Sequence, residues 1–206
     1  TTGTIEQVFA LNANRFLAVI MENGTRKLHF TTDAGQNWHV VSSGFQNNVF
    51  SLVSRSATTV EIQAVSAATI QKISFSTEGD PVSVNQTESN TTPPTFVATT
   101  SFSSGGTTYY FGATASGDMY RSEPINASNG IVNYTHMLTL SSFVPKKMSV
   151  LQLSSGAIYL CLLSNTGMLR KVTAPSYTGT YTTPTNNLSN STANIVDVVL
   201  VANGNS

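Results

Sequence analysis

The fold is decided by a pattern that is clearest in residues 16–30, which read FLAVIMENGTRKLHF. Two runs rich in β-branched, aromatic and other apolar residues flank a polar turn containing Asn23 and Gly24. Such runs are typical of half-buried strands, and Asn and Gly are typical of the turns between them. Residues 16–30 therefore predict two strands joined by a tight turn.

The same pattern returns three more times along the chain. The later copies are VEIQAVSAATIQKISF at 60–75, YYFGATASGDMYR at 109–121 and IYLCLLSNTGMLRKV at 158–172. The turn between the two strands holds Gly24, Ala68, Gly117 and Gly167 in successive copies, at spacings of 44, 49 and 50 residues. Each copy has one strand before it and a weaker strand after it. The sequence therefore predicts a four-stranded unit that repeats four times.

Four-stranded units at this spacing are typical of β-propeller blades, in which each blade buries its faces against its neighbours. We expect an all-β, β-propeller-like fold with about four four-stranded blades, and a β-sandwich is the alternative. The chain is interpreted as a single repeat domain, residues 1–206. Its blades are expected at about 4–44, 45–92, 93–140 and 141–186.

One more strand is expected after the fourth unit, at residues 195–202, which read IVDVVLVA. An unpaired apolar strand exposes an edge that favours pairing with other strands. Three explanations are open: the chain is a piece of a larger propeller, the strand closes the sheet within the molecule, or it adds to a neighbouring subunit.

A motif in the first unit points to a known family. Residues 31–38 read TTDAGQNW, and they resemble the Asp-box, Ser/Thr-x-Asp-x-Gly-x-x-Trp, of sialidase-type propellers. The matching residues are Thr31, Asp33, Gly35 and Trp38. Asp33 can accept hydrogen bonds from turn amides, Gly35 can adopt a positive φ, and Trp38 can pack beneath the turn. The resemblance implies a structural turn between the third and fourth strands of a blade, and it implies no chemistry.

Composition limits the function. The 206 residues include only 10 basic and 10 acidic side chains, but 26 Ser, 29 Thr and 18 Asn. A net charge of zero excludes the basic surface that nucleic-acid binding requires and a polybasic membrane patch. With 40% hydrophobic residues, a disordered chain is excluded as well. No apolar stretch reaches roughly 18 to 20 residues, so no transmembrane segment is predicted.

The scarcity of charge and the abundance of Ser, Thr and Asn are typical of secreted and cell-surface proteins, and we expect this location. Seven Asn-x-Ser/Thr sequons are candidate N-glycosylation sites: Asn23, Asn85, Asn90, Asn126, Asn133, Asn187 and Asn190. The single cysteine, Cys161, lies in an apolar run and is expected to be a buried apolar residue.

Sialidase-type propellers include enzymes, so an enzyme hypothesis has to be weighed beside the structural motif. These enzymes clamp the substrate carboxylate with three arginines, and they use a Tyr/Glu nucleophile pair and an Asp as the general acid. The arginines are Arg15, Arg26, Arg55, Arg121 and Arg170, and the Arg-Ile-Pro element that opens sialidase domains is absent. The carboxylates considered as a glycosidase pair are Glu6, Glu22, Glu61, Asp118, Glu123 and Asp197, and no spacing selects two of them. The histidines, His29, His39 and His136, are scattered and lack a third metal ligand. We therefore predict no catalytic residues, no metal and no cofactor.

The leading functional hypothesis is a non-catalytic, extracellular or cell-surface, glycosylated module that binds a protein or glycan partner or takes part in assembly. One alternative is a structural subunit of a surface filament or layer, assembled through the strand at 195–202. The other is a sialidase-type glycoside hydrolase fragment.

Overall fold

The computed structural model describes residues 3–43, 49–65, 69–77, 79–88, 94–105, 107–123 and 133–183. Within these ranges the regular elements are strands, which form four antiparallel sheets. Their bounds are β1 (Thr4–Ala10), β2 (Phe16–Glu22), β3 (Thr25–Thr31), β4 (His39–Ser43), β5 (Val49–Arg55), β6 (Thr59–Val65), β7 (Thr69–Ser76), β8 (Val82–Glu88), β9 (Phe96–Ser104), β10 (Thr107–Thr114), β11 (Asp118–Ser122), β12 (Tyr134–Thr139), β13 (Pro145–Gln152), β14 (Ile158–Ser164) and β15 (Leu169–Ala174).

The strands of each sheet lie side by side in chain order. The sheets are β1-β2-β3-β4, β5-β6-β7-β8, β9-β10-β11-β12 and the three-stranded β13-β14-β15. This is the up-and-down connectivity that the repeated pattern predicts. Residues 16–30 form a regular hairpin in which Glu22 pairs with Thr25 and Phe16 pairs with Thr31. Asn23 and Gly24 occupy its turn with φ values of 49° and 75°, which the Asn-Gly sequence accommodates.

The chain divides into two compact units, each with its own core. Unit 1, Thr1–Glu88, contains the first two sheets, and unit 2, Ser89–Ser206, contains the other two. The core of unit 1 consists of Phe9, Leu11, Leu17, Val19, Leu28, Phe30, Phe50, Val60, Ile62, Ala64, Ile73 and Phe75. The core of unit 2 consists of Ala98, Phe111, Ala113, Met119, Leu140, Phe143, Met148, Ile158, Leu160, Leu162, Val172, Ala174, Tyr177 and Tyr181. Burying each large apolar side chain stabilises the folded state by about 1.5 to 3 kcal/mol.

The fourth sheet continues beyond its third strand by one bridge. Thr173 on β15 and Thr182 exchange both backbone hydrogen bonds, each 2.9 Å between nitrogen and oxygen. Tyr177 and Tyr181 precede this bridge and are buried in the core of unit 2. The segment after β15 therefore returns along the edge of its own sheet.

The same hydrogen bond from a backbone amide to a side-chain hydroxyl forms in three of the turns. The last residue of the strand carries a hydroxyl group that accepts a hydrogen bond from the backbone amide four residues later. The pairs are Thr31 with Gly35 at 3.1 Å, Thr114 with Asp118 at 3.2 Å and Ser164 with Met168 at 2.9 Å. Ser and Thr compete for backbone amides in this way, which favours turns over continued strands. Part of the high hydroxyl content therefore serves to end strands.

The prediction of an all-β fold with four repeats is confirmed, because each repeat of the sequence pattern forms one sheet. The single-domain organisation and the blade bounds stay predictions. The extra strand expected at 195–202 lies outside the described residues.

Candidate functional site

An exposed polar cluster lies in unit 2, where β11 begins and β12 ends. Asp118 is the first residue of β11, and its backbone partner is Thr139, the last residue of β12. His136 on β12 pairs with Tyr120 on β11. Asp118 and Tyr120 are two residues apart on one strand, so their side chains share a face of the sheet. We call Ser116, Asp118, Tyr120, His136 and Thr139 the Asp118 cluster.

A β-bulge brings His136 and Thr139 to the same face. Residues three apart on a regular strand point to opposite faces. Here the register shifts between Met119 and Tyr120, so Met137 is an extra residue between the paired positions Leu138 and His136. Bulges re-aim side chains in this way and are frequent beside functional sites.

The Asp118 carboxylate is the centre of the hydrogen bonds in this cluster. Ser116 donates its hydroxyl to Oδ2 and Thr139 donates its hydroxyl to Oδ1, both at 2.6 Å. His136 Nε2 lies 3.3 Å from Thr139 Oγ1 and 3.7 Å from Asp118 Oδ1. The hydrogen bonds from Ser116 and Thr139 lower the pKa of Asp118, so this group is a carboxylate at neutral pH.

Aromatic side chains border the cluster on the same sheet. The ring of Tyr120 meets the His136 ring edge-on, with centroids 5.3 Å apart. Phe96 packs edge-on against Tyr120 and Tyr134 at 6.0 and 4.9 Å. A Cβ atom at Gly112 would lie 2.4 Å from the Phe96 ring, so the glycine lets this ring rest on the backbone of β10. These ring contacts hold Tyr120 on the face of the sheet that also carries Asp118.

The Asp-box-like segment forms a hydrogen-bonded turn after β3 in unit 1. Asp33 accepts hydrogen bonds from the Asn37 amide nitrogen at 2.9 Å, from Asn37 Nδ2 at 2.7 Å and from the Thr31 hydroxyl at 2.7 Å. Gly35 has a φ of 88°, and a Cβ atom there would be 3.6 Å from the half-buried Trp38 ring. These side chains serve the turn itself, and assignment to the Asp-box family stays a prediction.

We expect Asp33 to titrate well below an ordinary aspartate. Hydrogen bonds from the backbone and side chain of Asn37, and then from Thr31, lower its pKa from 3.8 to about 2. The charged form therefore stabilises the folded turn at any pH above 4, and this contribution is lost as the pH falls through 2. An NMR titration of the Asp33 carboxyl carbon measures the midpoint directly.

The control for this titration is a pair of variants. Asn37→Ala should raise the Asp33 midpoint toward 3.8, whereas Thr32→Ala, at an exposed neighbour, should leave it near 2. A wild-type midpoint near 3.8 would contradict the turn geometry.

The carboxylates considered for catalysis each have a separate partner among the described residues. Glu6 pairs with Arg26 at 2.6 Å, Glu22 with Lys27 at 2.8 Å and Glu61 with Lys72 at 2.6 Å. Glu123 accepts the Thr135 hydroxyl at 2.6 Å. Asp197 lies outside the described residues. Each of these four glutamates thus has a different partner.

Four of the five arginines also have separate partners. Arg15 donates to the Gly79 carbonyl at 2.6 Å and lies over the Phe75 ring, and Arg26 binds Glu6. In unit 2, Arg121 lies over Tyr177 and Arg170 over Phe143, both with the guanidinium 5.1 Å from the ring centroid. Arg55 is a residue of β5.

The histidines of unit 1 lie in different surroundings. His29 is buried, its Nε2 is 3.4 Å from Glu22 Oε1, and burial lowers its pKa. The His39 ring instead packs on Phe30, with centroids 5.3 Å apart. Across the described ranges, no three side chains of His, Cys, Asp and Glu come together as a metal site.

Two of the seven sequons can be described fully. Asn23 is exposed in the β2–β3 turn, and Asn133 is exposed immediately before β12. Asn85 is a residue of β8, and Asn90, Asn126, Asn187 and Asn190 lie outside the described residues.

Cys161 is half-buried on β14, and burial raises the pKa of its thiol. In the part of the chain that is described, no helix is long and apolar enough to cross a membrane.

From the sequence, Asp118 was one of the six candidate carboxylates and His136 one of the scattered histidines, and no pattern connected the two. The available signal was the sequence Tyr134–Thr139, in which polar and apolar residues do not alternate cleanly. Such an interruption is typical of a bulged strand.

Neither a scan against protein-family models nor a search of curated proteins gives a match for this sequence. Similar solved structures include the SapL1 lectin in complex with alpha methyl fucoside, at 11% identity over 87% of this chain and 63% of that chain, with a TM-score of 0.49. YCF48 bound to D1 peptide matches at 16% identity over 93% of this chain and 55% of that chain, with a TM-score of 0.49. A mutant of the GH43 protein BlXynB from Bacillus licheniformis matches at 12% identity over 87% of this chain and 40% of that chain, with a TM-score of 0.50.

These structures are β-propellers, and the likeness concerns the fold alone. This chain spans 40% to 63% of the length of the three structures. It has an all-β, β-propeller-like fold, in which four repeated sheets correspond to blades.

Proposed function

We propose that this protein is a non-catalytic, extracellular or cell-surface binding module, glycosylated on exposed sequons, that recognises a protein or glycan partner. The observation that carries the proposal is the Asp118 cluster. It is an exposed set of polar groups, held in place by hydrogen bonds on two paired strands and bordered by an aromatic ring. Groups fixed on strands lose little freedom on binding, which favours recognition.

The distribution of charge supports binding over hydrolysis. Glycoside hydrolysis commonly uses two carboxylates about 5 to 9.5 Å apart on either side of the scissile bond. The described carboxylates instead form separate contacts with Arg26, Lys27, Lys72 or hydroxyl groups. The Asp118 cluster has a single carboxylate, which suits a binding role.

A second candidate, self-assembly by strand addition, has an observation of its own. In the described part of the chain β1 pairs with β2 alone, and it exposes 58% of Ile5 and 51% of Val8. A bulge between Ile5 and Gln7 places both apolar side chains on one face, opposite Ile20 and Ala18. The apolar strand predicted at 195–202, supplied by another molecule, would suit this edge.

One preparation tests these functions. The purified chain is applied to arrays of glycans and extracellular proteins, incubated with a panel of glycosidase substrates, and measured by light scattering. Saturable binding of a partner without turnover is the expected result. Turnover that a single carboxylate substitution abolishes would overturn the proposal, as would failure to bind on both arrays. A concentration-independent monomer mass would contradict self-assembly.

A further inference from the structure

The direction of the hydrogen bonds in the Asp118 cluster can be assigned from the number of hydrogens available. A hydroxyl group has one hydrogen to donate and two lone pairs that accept. Ser116 and Thr139 both donate to the carboxylate of Asp118, so neither has a hydrogen left. Their remaining contacts must therefore be ones in which they accept.

Two chains of donors consequently converge on Asp118. Thr114 Oγ1 lies 2.7 Å from Ser116 Oγ and 3.4 Å from the Asp118 backbone carbonyl oxygen. Because Ser116 donates to Asp118, Thr114 donates its single hydrogen in the shorter contact, to Ser116. His136 Nε2 lies 3.3 Å from Thr139 Oγ1, and by the same reasoning the Nε2–H group of His136 donates to Thr139. One chain ends on Oδ2 and the other on Oδ1.

The surface that results is rich in acceptors. The donated hydrogens point inward, and each carboxylate oxygen keeps a lone-pair direction for an outside group. Asp118, Ser116 and Thr139 are also partly or fully accessible to solvent. A ligand group that suits this surface supplies N–H or O–H donors and need not accept.

Asp118 also differs from four glutamates in the charged side chains that lie near its carboxylate. Glu6, Glu22 and Glu61 each have a Lys or Arg within 2.8 Å, and Glu123 has Arg121 at 3.9 Å. Among the ion pairs of the described residues, Asp118 has no Lys or Arg partner, only His136 at 3.7 Å. A cation from outside the chain would balance the negative charge of Asp118.

The Tyr120 ring adds a second attraction for a cation. Tyr120 is partly exposed on the face that carries Asp118, and its ring is held by contacts with Phe96 and His136. A cation near an aromatic face gains about 0.5 to 1 kcal/mol at an exposed site.

We infer that the Asp118 cluster binds a primary ammonium group, with the Asp118 carboxylate and the Thr139 and Ser116 oxygens as acceptors beside Tyr120. An ammonium has three donors and no acceptor, which matches a surface made of acceptors. Such a group is presented by a lysine side chain of a partner protein, whose flexible apolar stem can lie along the partly exposed Tyr120 ring. The inference rests on the proposed binding function and names the chemistry that its site recognises.

The test uses small probes on the full isotope-labelled chain, followed by NMR at 150 mM salt. The first pair of probes is Nα-acetyl-lysine methylamide and its Nε-acetylated form, and the second is methyl glucosaminide and its N-acetylated form. The amine probes should shift the amide signals of Ser116, Asp118 and Thr139 saturably, with dissociation constants in the millimolar range. The acetylated probes should bind at least tenfold more weakly. Tighter binding of the glucosaminide than of the lysine probe would contradict a lysine partner and point to an amino sugar of a glycan.

Variants locate the effect in the cluster. Asp118→Asn should weaken amine binding at least tenfold, whereas Asp80→Asn, at an exposed aspartate of unit 1, should leave it unchanged. Thr139→Val removes an acceptor and should weaken binding, and Thr139→Ser should restore it. Unchanged spectra elsewhere in the chain show that each variant is folded.

Equal binding of amine and acetylated probes, or wild-type affinity in Asp118→Asn, would overturn the inference. The ammonium inference alone would be wrong, and the proposed binding function would stand, if a partner bound on the arrays while the amine probes did not shift the Asp118 amide signal.

Discussion

Replacing Gly117 by alanine is expected to lower the free energy of unfolding by about 3 kcal/mol, chiefly by destabilising unit 2. Gly117 has a φ of 89°, a conformation that costs a residue with a Cβ atom about 1 to 2 kcal/mol. A Cβ atom would also lie 2.4 Å from the Leu140 carbonyl oxygen and 2.9 Å from that of Phe143. Both atoms belong to the backbone, so they cannot move aside by changing a rotamer.

The surroundings of Gly117 explain why this clash is costly. The Leu140 amide donates to the Gly117 carbonyl at 2.9 Å, which ties the β10–β11 turn to the segment after β12. Leu140 and Phe143 are each 1% exposed in the core of unit 2. Relief of the clash would therefore break a hydrogen bond or shift two core side chains.

The matched control for this prediction is Gly156→Ala. Gly156 has nearly the same φ, 87°, but a Cβ atom there would have no heavy atom within 4 Å. Its loss should be about 1 kcal/mol, which measures the backbone strain alone. Chemical denaturation of both variants gives the difference between their losses in the free energy of unfolding. Equal losses would show that the close approach of Leu140 does not contribute to the loss in Gly117→Ala.

Phe111→Ala is expected to lower the free energy of unfolding by about 3 to 5 kcal/mol, the usual cost of removing a buried phenylalanine. Phe111 on β10 is 1% exposed. Its ring centroid lies 6.2 Å from Phe102, 5.6 Å from Tyr177 and 6.1 Å from Tyr181. The cavity would therefore open within an aromatic cluster that joins β9 and β10 to the segment after β15.

Two measurements check the Phe111 prediction. Denaturation gives the loss of stability, and near-ultraviolet circular dichroism reports on the packing of Tyr177 and Tyr181, which should weaken. Leu153→Ala, at a residue 37% exposed, is the control and should change stability by about 0.5 kcal/mol or less. A loss in Phe111→Ala no larger than in Leu153→Ala would show that the ring is not part of a packed core.

The strands and their order were predictable because the information is local. Alternating apolar residues identify the core face of a strand, and Gly24, Gly117 and Gly167 mark turns that require a positive φ. The hairpin has the two predicted strands, β2 and β3, on either side of the Asn23-Gly24 turn. The hydrogen bonds of Asp33 are local in the same sense, because all its partners lie within four residues.

The Asp118 cluster was not predictable in the same way. Asp118 and Thr139 are 21 residues apart, and their contact depends on the pairing of β11 with β12. The approach of His136 depends in addition on the bulge that makes Met137 an extra residue. A register shift of one residue moves side chains to the opposite face, and single-sequence patterns do not fix such a shift.

The sequence by itself determined that this protein is all-β, built from four repeats, low in charge and rich in hydroxyl groups. Only the tertiary structure decided which polar side chains meet across strands to orient a carboxylate. The physical reason is that a turn is set by neighbours in sequence, whereas a contact between strands is set by their register. Thr139 reaches Asp118 because of that register, whereas Ser116 reaches it from two residues away in the same turn.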